Sequence, residues 1–330
     1  MIYKSNFKSA WWMKNRHVQT LWPNRIKKGK KVKLIRQRFE LPDGDFIDTE
    51  WTTGTSGPIV LVLHGLEGST RSGYAVRIMR QIHQRGWRGV FMYYRSCSGV
   101  PNRLFRRYHA GDCGDLNLVL NIITNREPET PIGIVGYSLG GNVLLKWLAN
   151  NPQPPKQIAA AVAVSVPFEL HKANHQLTQG FSRVYQAAMR NKMQRSIAAK
   201  YANWKTNLNI DDILKMKTFR EIDEAFTAPV HGYTNVDDYY YENSCRYTLN
   251  KINFPTLIVH ASDDPFMLPD GIPDEHELSE HITFELAETG GHVGFVYGNP
   301  WRPKYYLEER IPHYIENRIR AHTRLQLDNN

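Results

Sequence analysis

Ser138 stands in Gly136-Tyr137-Ser138-Leu139-Gly140, a G-x-S-x-G pentapeptide. The apolar run Ile132-Gly133-Ile134-Val135 precedes it, and an apolar-faced segment from Gly141 to Asn150 follows. Strand, tight turn and helix is the context in which this pattern lifts a serine hydroxyl out of a sheet on a strained elbow. Side chains at the flanking glycines would collide with the neighbouring strand or helix. A serine hydroxyl becomes a nucleophile only beside a base, and the base needs a carboxylate to orient it. In a sheet of this kind the partners follow in the order Ser, Asp or Glu, His.

Two later segments meet that order. Thr256-Leu257-Ile258-Val259-His260 reads as a buried strand, and Ala261-Ser262-Asp263-Asp264-Pro265-Phe266 follows it. Ile282-Thr283-Phe284-Glu285-Leu286 reads as another, followed by Ala287-Glu288-Thr289-Gly290-Gly291-His292. His292 is therefore the expected base, the preceding glycines letting it approach. Asp264, followed by Pro265 and an apolar residue, fits the acid; its neighbour Asp263 is the alternative, read as closing the turn. Two amides should form the oxyanion hole: Leu139, directly after the serine, and Leu66 in His64-Gly65-Leu66-Glu67-Gly68-Ser69. His64 competes with His292 but precedes the serine and opens a glycine turn, so bracing that loop is its expected role.

Other chemistries fail on spacing. His276-Glu277-Leu278-Ser279-Glu280-His281 has one residue too many for a metalloprotease pair, so no metal is expected. Neither G-x-x-x-x-G-K-[ST] nor G-x-G-x-x-G occurs, which removes the usual phosphate-binding loops. No cofactor is implied.

The elements that must position these groups alternate. Phe39 to Leu41, Pro42-Asp43-Gly44-Asp45 and Phe46 to Trp51 read as a hairpin. Ile59 to Leu63 is a strand buried on both faces, a helix spans Gly73 to Arg85, and Gly89 to Tyr94 is the next strand. A helix over Asp115 to Thr124 leads to the serine's strand, and Ile158 to Val166 is a further buried run. Strands alternating with helices argue for a parallel sheet covered on both faces. Between Val166 and Thr256 lie almost ninety residues, too many for a structureless loop. They are expected to form a helical cap, residues 167–250, over the strand ends where open α/β sheets bind ligands. Its residues Phe181, Tyr185, Met189, Met193, Phe226, Tyr233 and Tyr239 to Tyr241 fit an acyl pocket or, equally, plain core.

The 330 residues suit one large α/β domain, with residues 1–38 an aromatic and basic N-terminal extension. No stretch approaches the ~18 apolar residues of a membrane span, and no leader-like apolar segment is apparent. Cys97, Cys113 and Cys245 form no pair, which suits a reducing, cytoplasmic setting. Much of the net charge of +10 lies in Arg25 to Arg38, with eight cations and no acid. A solvated loop is the simpler reading and weak peripheral attachment to an anionic membrane the functional one. No zinc-finger, RNP or helix-turn-helix signature accompanies the charge, so nucleic acid is not an expected partner.

With those residues in view, the chain resembles the α/β-hydrolase superfamily, and within it the YheT-like branch. That branch also takes in fungal medium-chain ethyl ester synthase/esterases and mammalian lipid-hydrolysing ABHD proteins. The likeness is carried by Asn15 to Leu21, Leu41 to Phe46, His64 to Ser69, Tyr94 to Gly99, Gly136 to Asn142, Phe219 to Glu224 and Ala261 to Phe266. Arg95-Ser96-Cys97 departs from the Arg-Gly-Cys expected there. The resemblance implies an α/β-hydrolase fold with Ser138, Asp264 and His292 as a triad. The expected activity is a serine carboxylic-ester hydrolase acting through an acyl-enzyme on short- to medium-chain acyl esters or lipids. Thioester or peptide hydrolysis by the same triad, and ligand binding without catalysis, are the competing readings.

Overall fold

Four apolar runs, Ile59–Leu63, Ile132–Tyr137, Ile158–Val164 and Thr256–Ala261, are buried at every residue and form the middle of one sheet. Such runs persist only where both faces are covered. The computed structural model describes residues 1–25, 31–54, 56–202, 204, 208–267 and 269–328, so part of the basic segment Arg25 to Arg38 (residues 26–30) lies outside the described residues.

In chain order the strands of this sheet are β1 (Ile2–Lys4), β2 (Leu34–Glu40), β3 (Phe46–Thr52), β4 (Ile59–Leu63), β5 (Arg88–Met92), β6 (Ile132–Tyr137), β7 (Ile158–Val164), β8 (Thr256–Ala261) and β9 (Ile282–Ala287). Their spatial order is β1-β9-β8-β7-β6-β4-β5-β3-β2, parallel except for β3 against both β2 and β5. Alternate residues go to opposite faces, as the strand period requires. Leu61, Leu63, Ile134 and Ala163 pack with helices α3 (Cys113–Arg126) and α4 (Leu139–Asn150). Val60, Val62, Val135 and Val162 pack with α2 (Gly73–Gln84) and the C-terminal helix Tyr306–Asp328.

After β4 the chain moves outward to β5, whereas after β6 it moves the other way through β7, β8 and β9. The ends of β4 and β6 therefore flank the point where the winding reverses, the place where such sheets bind ligands. Between β7 and β8 run the inserted helices α5 (Leu170–Leu177), α6 (Ser182–Tyr201), α7 (Ile210–Lys215), α8 (Phe219–Ile222), α9 (Ala228–Val230) and α10 (Val236–Asn243). They carry an apolar cluster of their own, including Tyr185, Met193, Ile197, Tyr201, Ile222 and Phe226. Hydrogen bonds tie them down: Lys200 Nζ donates to the Asn102 and Leu104 carbonyls, and Arg107 donates to Ser196 at 2.8 Å.

The hairpin turn does more than turn. Asp43 and Asp45 accept hydrogen bonds from Arg95 at 2.8 and 2.9 Å, and Asp115 of α3 accepts from it at 2.8 and 2.7 Å. A guanidinium only 1 % exposed is tolerable because three carboxylates surround it. The next residue, Ser96, has φ 67°, a left-handed conformation that favours glycine, and its Oγ is buried without a partner among the described residues. Ser96→Gly removes both the steric cost and the stranded hydroxyl, at the expense of a more flexible unfolded chain. It is expected to stabilise by about 1 kcal/mol, raising the thermal midpoint by roughly 1–3 °C. A lower midpoint would refute this account of the loop.

Candidate active site

Ser138 is the single residue between β6 and α4. It has φ 53° and ψ −119°, and its N–H donates to the Val164 carbonyl at 2.8 Å. This backbone is crowded: a Cβ at Gly136 would lie 2.3 Å from the Gly140 carbonyl oxygen, and one at Gly140 2.6 Å from that of Leu63. The strained serine persists because the strand and helix over-determine it.

His292 Nε2 lies 3.0 Å from Ser138 Oγ, and His292 Nδ1 lies 2.8 Å from Asp264 Oδ2. With the carboxylate accepting from Nδ1–H, the Nε2 lone pair faces the serine hydroxyl. Burial works against ionisation of Asp264, but the His292 ring, His260 and the Phe266 amide outweigh it and hold the carboxyl below its ordinary range. The Phe266 ring stacks on the imidazole, with centroids 3.9 Å apart and planes 7° from parallel.

The two aspartates divide the work differently from the sequence expectation. Asp264 both meets the imidazole and closes the turn, its Oδ1 accepting from the Phe266 N–H at 2.9 Å. Asp263 does not close that turn; it reaches across to the histidine loop and accepts from the Gly291 N–H at 2.9 Å. His64 is wholly buried. Its Nδ1 lies 2.6 Å from the Gly65 carbonyl oxygen, and its Nε2 accepts from the Tyr94 N–H at 3.2 Å. Burial drives its pKa down to about 4, so it stays neutral and braces the loop.

Leu66 and Leu139 both border the cavity that contains Ser138 and His292. Neither amide donates a hydrogen bond within the protein among the described residues. Their neighbours are engaged: the Gly65 N–H donates to Tyr74 Oη and the Glu67 N–H to Tyr108 Oη.

The histidine loop has supports that no local sequence pattern announces. The first helix, α1 (Arg16–Arg25), delivers Thr20 Oγ1 to the His292 N–H at 2.9 Å. Gln19 clasps the Val296 backbone from both sides, donating from Nε2 at 3.0 Å and accepting at 2.8 Å. From the end of β7, Ser165 Oγ accepts from the Val293 N–H at 3.0 Å. Residues 1–38 are thus more than an extension, since they supply the edge strand β1, most of the strand β2 and the brace of the His292 loop.

The cavity holds about 110 Å³ between the strand ends and the inserted helices. Of the aromatic and sulfur side chains expected in an acyl pocket, Met189, Met193, Tyr239 and Tyr240 line it. The others do not: Phe226 lies in the insertion's own core, Tyr185 packs on Phe266, Tyr233 packs on Tyr239, and Phe181 and Tyr241 are exposed. Among the described residues, no cluster of three or more His, Cys, Asp or Glu could hold a metal ion. No helix among them is long and apolar enough to cross a membrane.

Comparison with known proteins agrees with this fold. The sequence pattern of the alpha/beta hydrolase fold matches residues 58–299. YheT of Escherichia coli, named as a candidate esterase, is 40% identical over 315 residues, covering 93% of this chain and 92% of that protein. The phospholipase ABHD3 of Bos taurus is 26% identical, covering 87% and 73%. The monoacylglycerol lipase of Saccharomyces cerevisiae is 27% identical, covering 83% and 62%. Among solved structures, an esterase of Pyrococcus furiosus superposes with a TM-score of 0.55 at 15% identity, covering 87% of this chain and 91% of that one, a likeness of fold. The chain belongs to the α/β hydrolase fold family.

Proposed function

We propose that this hydrolase is a serine carboxylic-ester hydrolase, with Ser138 as nucleophile, His292 as base and Asp264 as its orienting acid. The observation that carries the reading is the unbroken hydrogen-bonded line from Ser138 Oγ through His292 to Asp264. Ser138 Oγ attacks the acyl carbonyl as its proton passes to His292 Nε2, and Asp264 stabilises the imidazolium. The Leu66 and Leu139 amides receive the oxyanion, each donor of this kind contributing roughly 2.7–4 kcal/mol. Collapse expels the alcohol with the proton from His292. Water then attacks the acyl carbonyl as it gives a proton to His292; the carbonyl–Oγ bond breaks, that proton returns to Ser138 Oγ and the carboxylic acid leaves.

Residues 167–250 act in this reading as a cap whose apolar wall, Leu177, Met189, Met193 and Phe219, takes the acyl chain. An acyl series of p-nitrophenyl esters tests it. Each buried methylene is worth about 0.8 kcal/mol, so kcat/KM is expected to rise about fourfold per carbon through short and medium chains, then level off. A flat series would remove the acyl pocket. Matched amide or thioester substrates turned over faster than the ester would reassign the activity to a peptidase or thioesterase.

A further inference from the structure

One carboxylate in the cavity wall has no part in the chemistry above. Asp223 opens a single π-type turn, Asp223–Thr227, in the segment between α8 and α9, and it lines the same cavity as Ser138 and His292. Wide turns of this type tend to occur at functional sites. The side chain is held from two sides: Thr227 Oγ1 donates to Oδ1 at 2.6 Å and Tyr240 Oη to Oδ2 at 2.9 Å. No cation pairs with it among the described residues; its neighbour Arg220 is engaged with Asp237 at 2.6 and 2.8 Å. Burial pushes its pKa up to about 6, against the two hydroxyls that favour the carboxylate.

A structural role alone accounts poorly for this arrangement. Burying a carboxylate that only neutral hydroxyls support is costly, and an asparagine could engage the same two hydroxyls without charge, its Oδ1 accepting from Thr227 and its Nδ2–H donating to Tyr240 Oη. A carboxylate has about four acceptor sites and the protein occupies two. Several other polar groups of the cavity are engaged inward. Arg107 pairs with Glu67 at 2.7 Å, His109 Nδ1 accepts from the Gly111 N–H, and Tyr239 Oη accepts from the Ala110 N–H. His109 is also neutral, burial holding its pKa near 3. An acceptor with spare capacity thus faces a mostly apolar cavity. An anionic group would be repelled there. A buried ammonium would lose its hydration, whereas a hydroxyl makes one charge-assisted hydrogen bond at little cost.

We propose that Asp223 is a specificity-determining residue that accepts a hydrogen bond from a free hydroxyl of the ester substrate. The hydroxyl sits either on the alcohol portion, as in a polyol monoester, or on the acyl chain, as in a hydroxyacyl ester. The assignment rests on the serine-esterase reading and names the substrate class that the same site prefers.

Three esters of one acyl length separate the sources: methyl octanoate, 1-monooctanoylglycerol and methyl 8-hydroxyoctanoate. The wild-type protein is expected to favour at least one hydroxylated ester over methyl octanoate by tenfold or more in kcat/KM; which one identifies the source. In Asp223→Ala that ratio is expected to fall towards one, with an intermediate ratio in Asp223→Asn. A purely structural role would lower all three substrates together and leave the ratio unchanged. Should Asp223→Ala fail to fold, the wild-type and Asp223→Asn ratios decide. A wild-type ratio near one, in a protein that turns over all three esters and is labelled by a fluorophosphonate, would overturn this assignment alone. Absence of both turnover and labelling would defeat the serine-esterase reading and this one with it.

Discussion

Ser138→Ala is expected to lower ester hydrolysis on the order of 10⁶-fold in kcat, the loss that follows removal of the nucleophile from a working Ser-His-Asp unit. The residual rate comes from the oxyanion donors and the cavity, which the substitution leaves in place. The variant should fold as the parent does. Alanine meets the same backbone cost as serine at φ 53°, and Gly136 and Gly140 still permit the close approach of β6 and α4. Initial rates with a p-nitrophenyl ester, beside a thermal unfolding curve, make the comparison. A rate within tenfold of the parent, with unfolding unchanged, would remove Ser138 from the mechanism.

The second large effect separates two adjacent carboxylates. Asp264→Asn is expected to cost about 10⁴-fold in kcat, because an amide no longer enforces the tautomer that turns the Nε2 lone pair towards Ser138. Nor can it stabilise the imidazolium that forms as the proton arrives. Asp263→Asn is expected to cost less than about tenfold. Its amide oxygen can still accept from the Gly291 N–H, by which the aspartate holds the histidine loop. Both variants are measured at the optimum pH of the parent. Equal losses, or the greater loss at residue 263, would contradict the division of labour between them.

How far the sequence revealed this arrangement varied with the kind of information needed. The central strands were legible because a strand buried on both faces is an uninterrupted apolar run; Ile59–Leu63 and Ile158–Val164 are of that kind. The serine, aspartate and histidine stood out as candidates because each lies within a few residues of a strand's C-terminal end, where side chains can converge. The hairpin was found, but Asp43 and Asp45 look like any turn carboxylates until Arg95 arrives from fifty residues downstream.

Contacts that join distant segments left no local trace. Thr20 and His292 are 272 positions apart, and nothing in Asn15 to Leu21 marks a hydrogen bond to the His292 loop. The strand Ile2–Lys4 is too short and too exposed to alternate convincingly, and it pairs only because β9 offers a free edge. The inserted helices proved ambiguous for a different reason. Aromatic residues at helical spacing serve a cap's own core as readily as a pocket, and Phe226 and Tyr239 went opposite ways. Asp223 gave no signal beyond its place in Phe219 to Glu224, because an acidic residue in a charged stretch reads as solvated surface.

The most direct measurement treats the purified protein with a fluorophosphonate and maps the modified peptide by mass spectrometry. Such reagents capture a serine only when a neighbouring base has made its oxygen nucleophilic, so no substrate need be guessed. The expected result is one adduct per chain, on Ser138, lost in both Ser138→Ala and His292→Ala. An unreactive protein with intact fold, or an adduct at any other serine, would contradict the account.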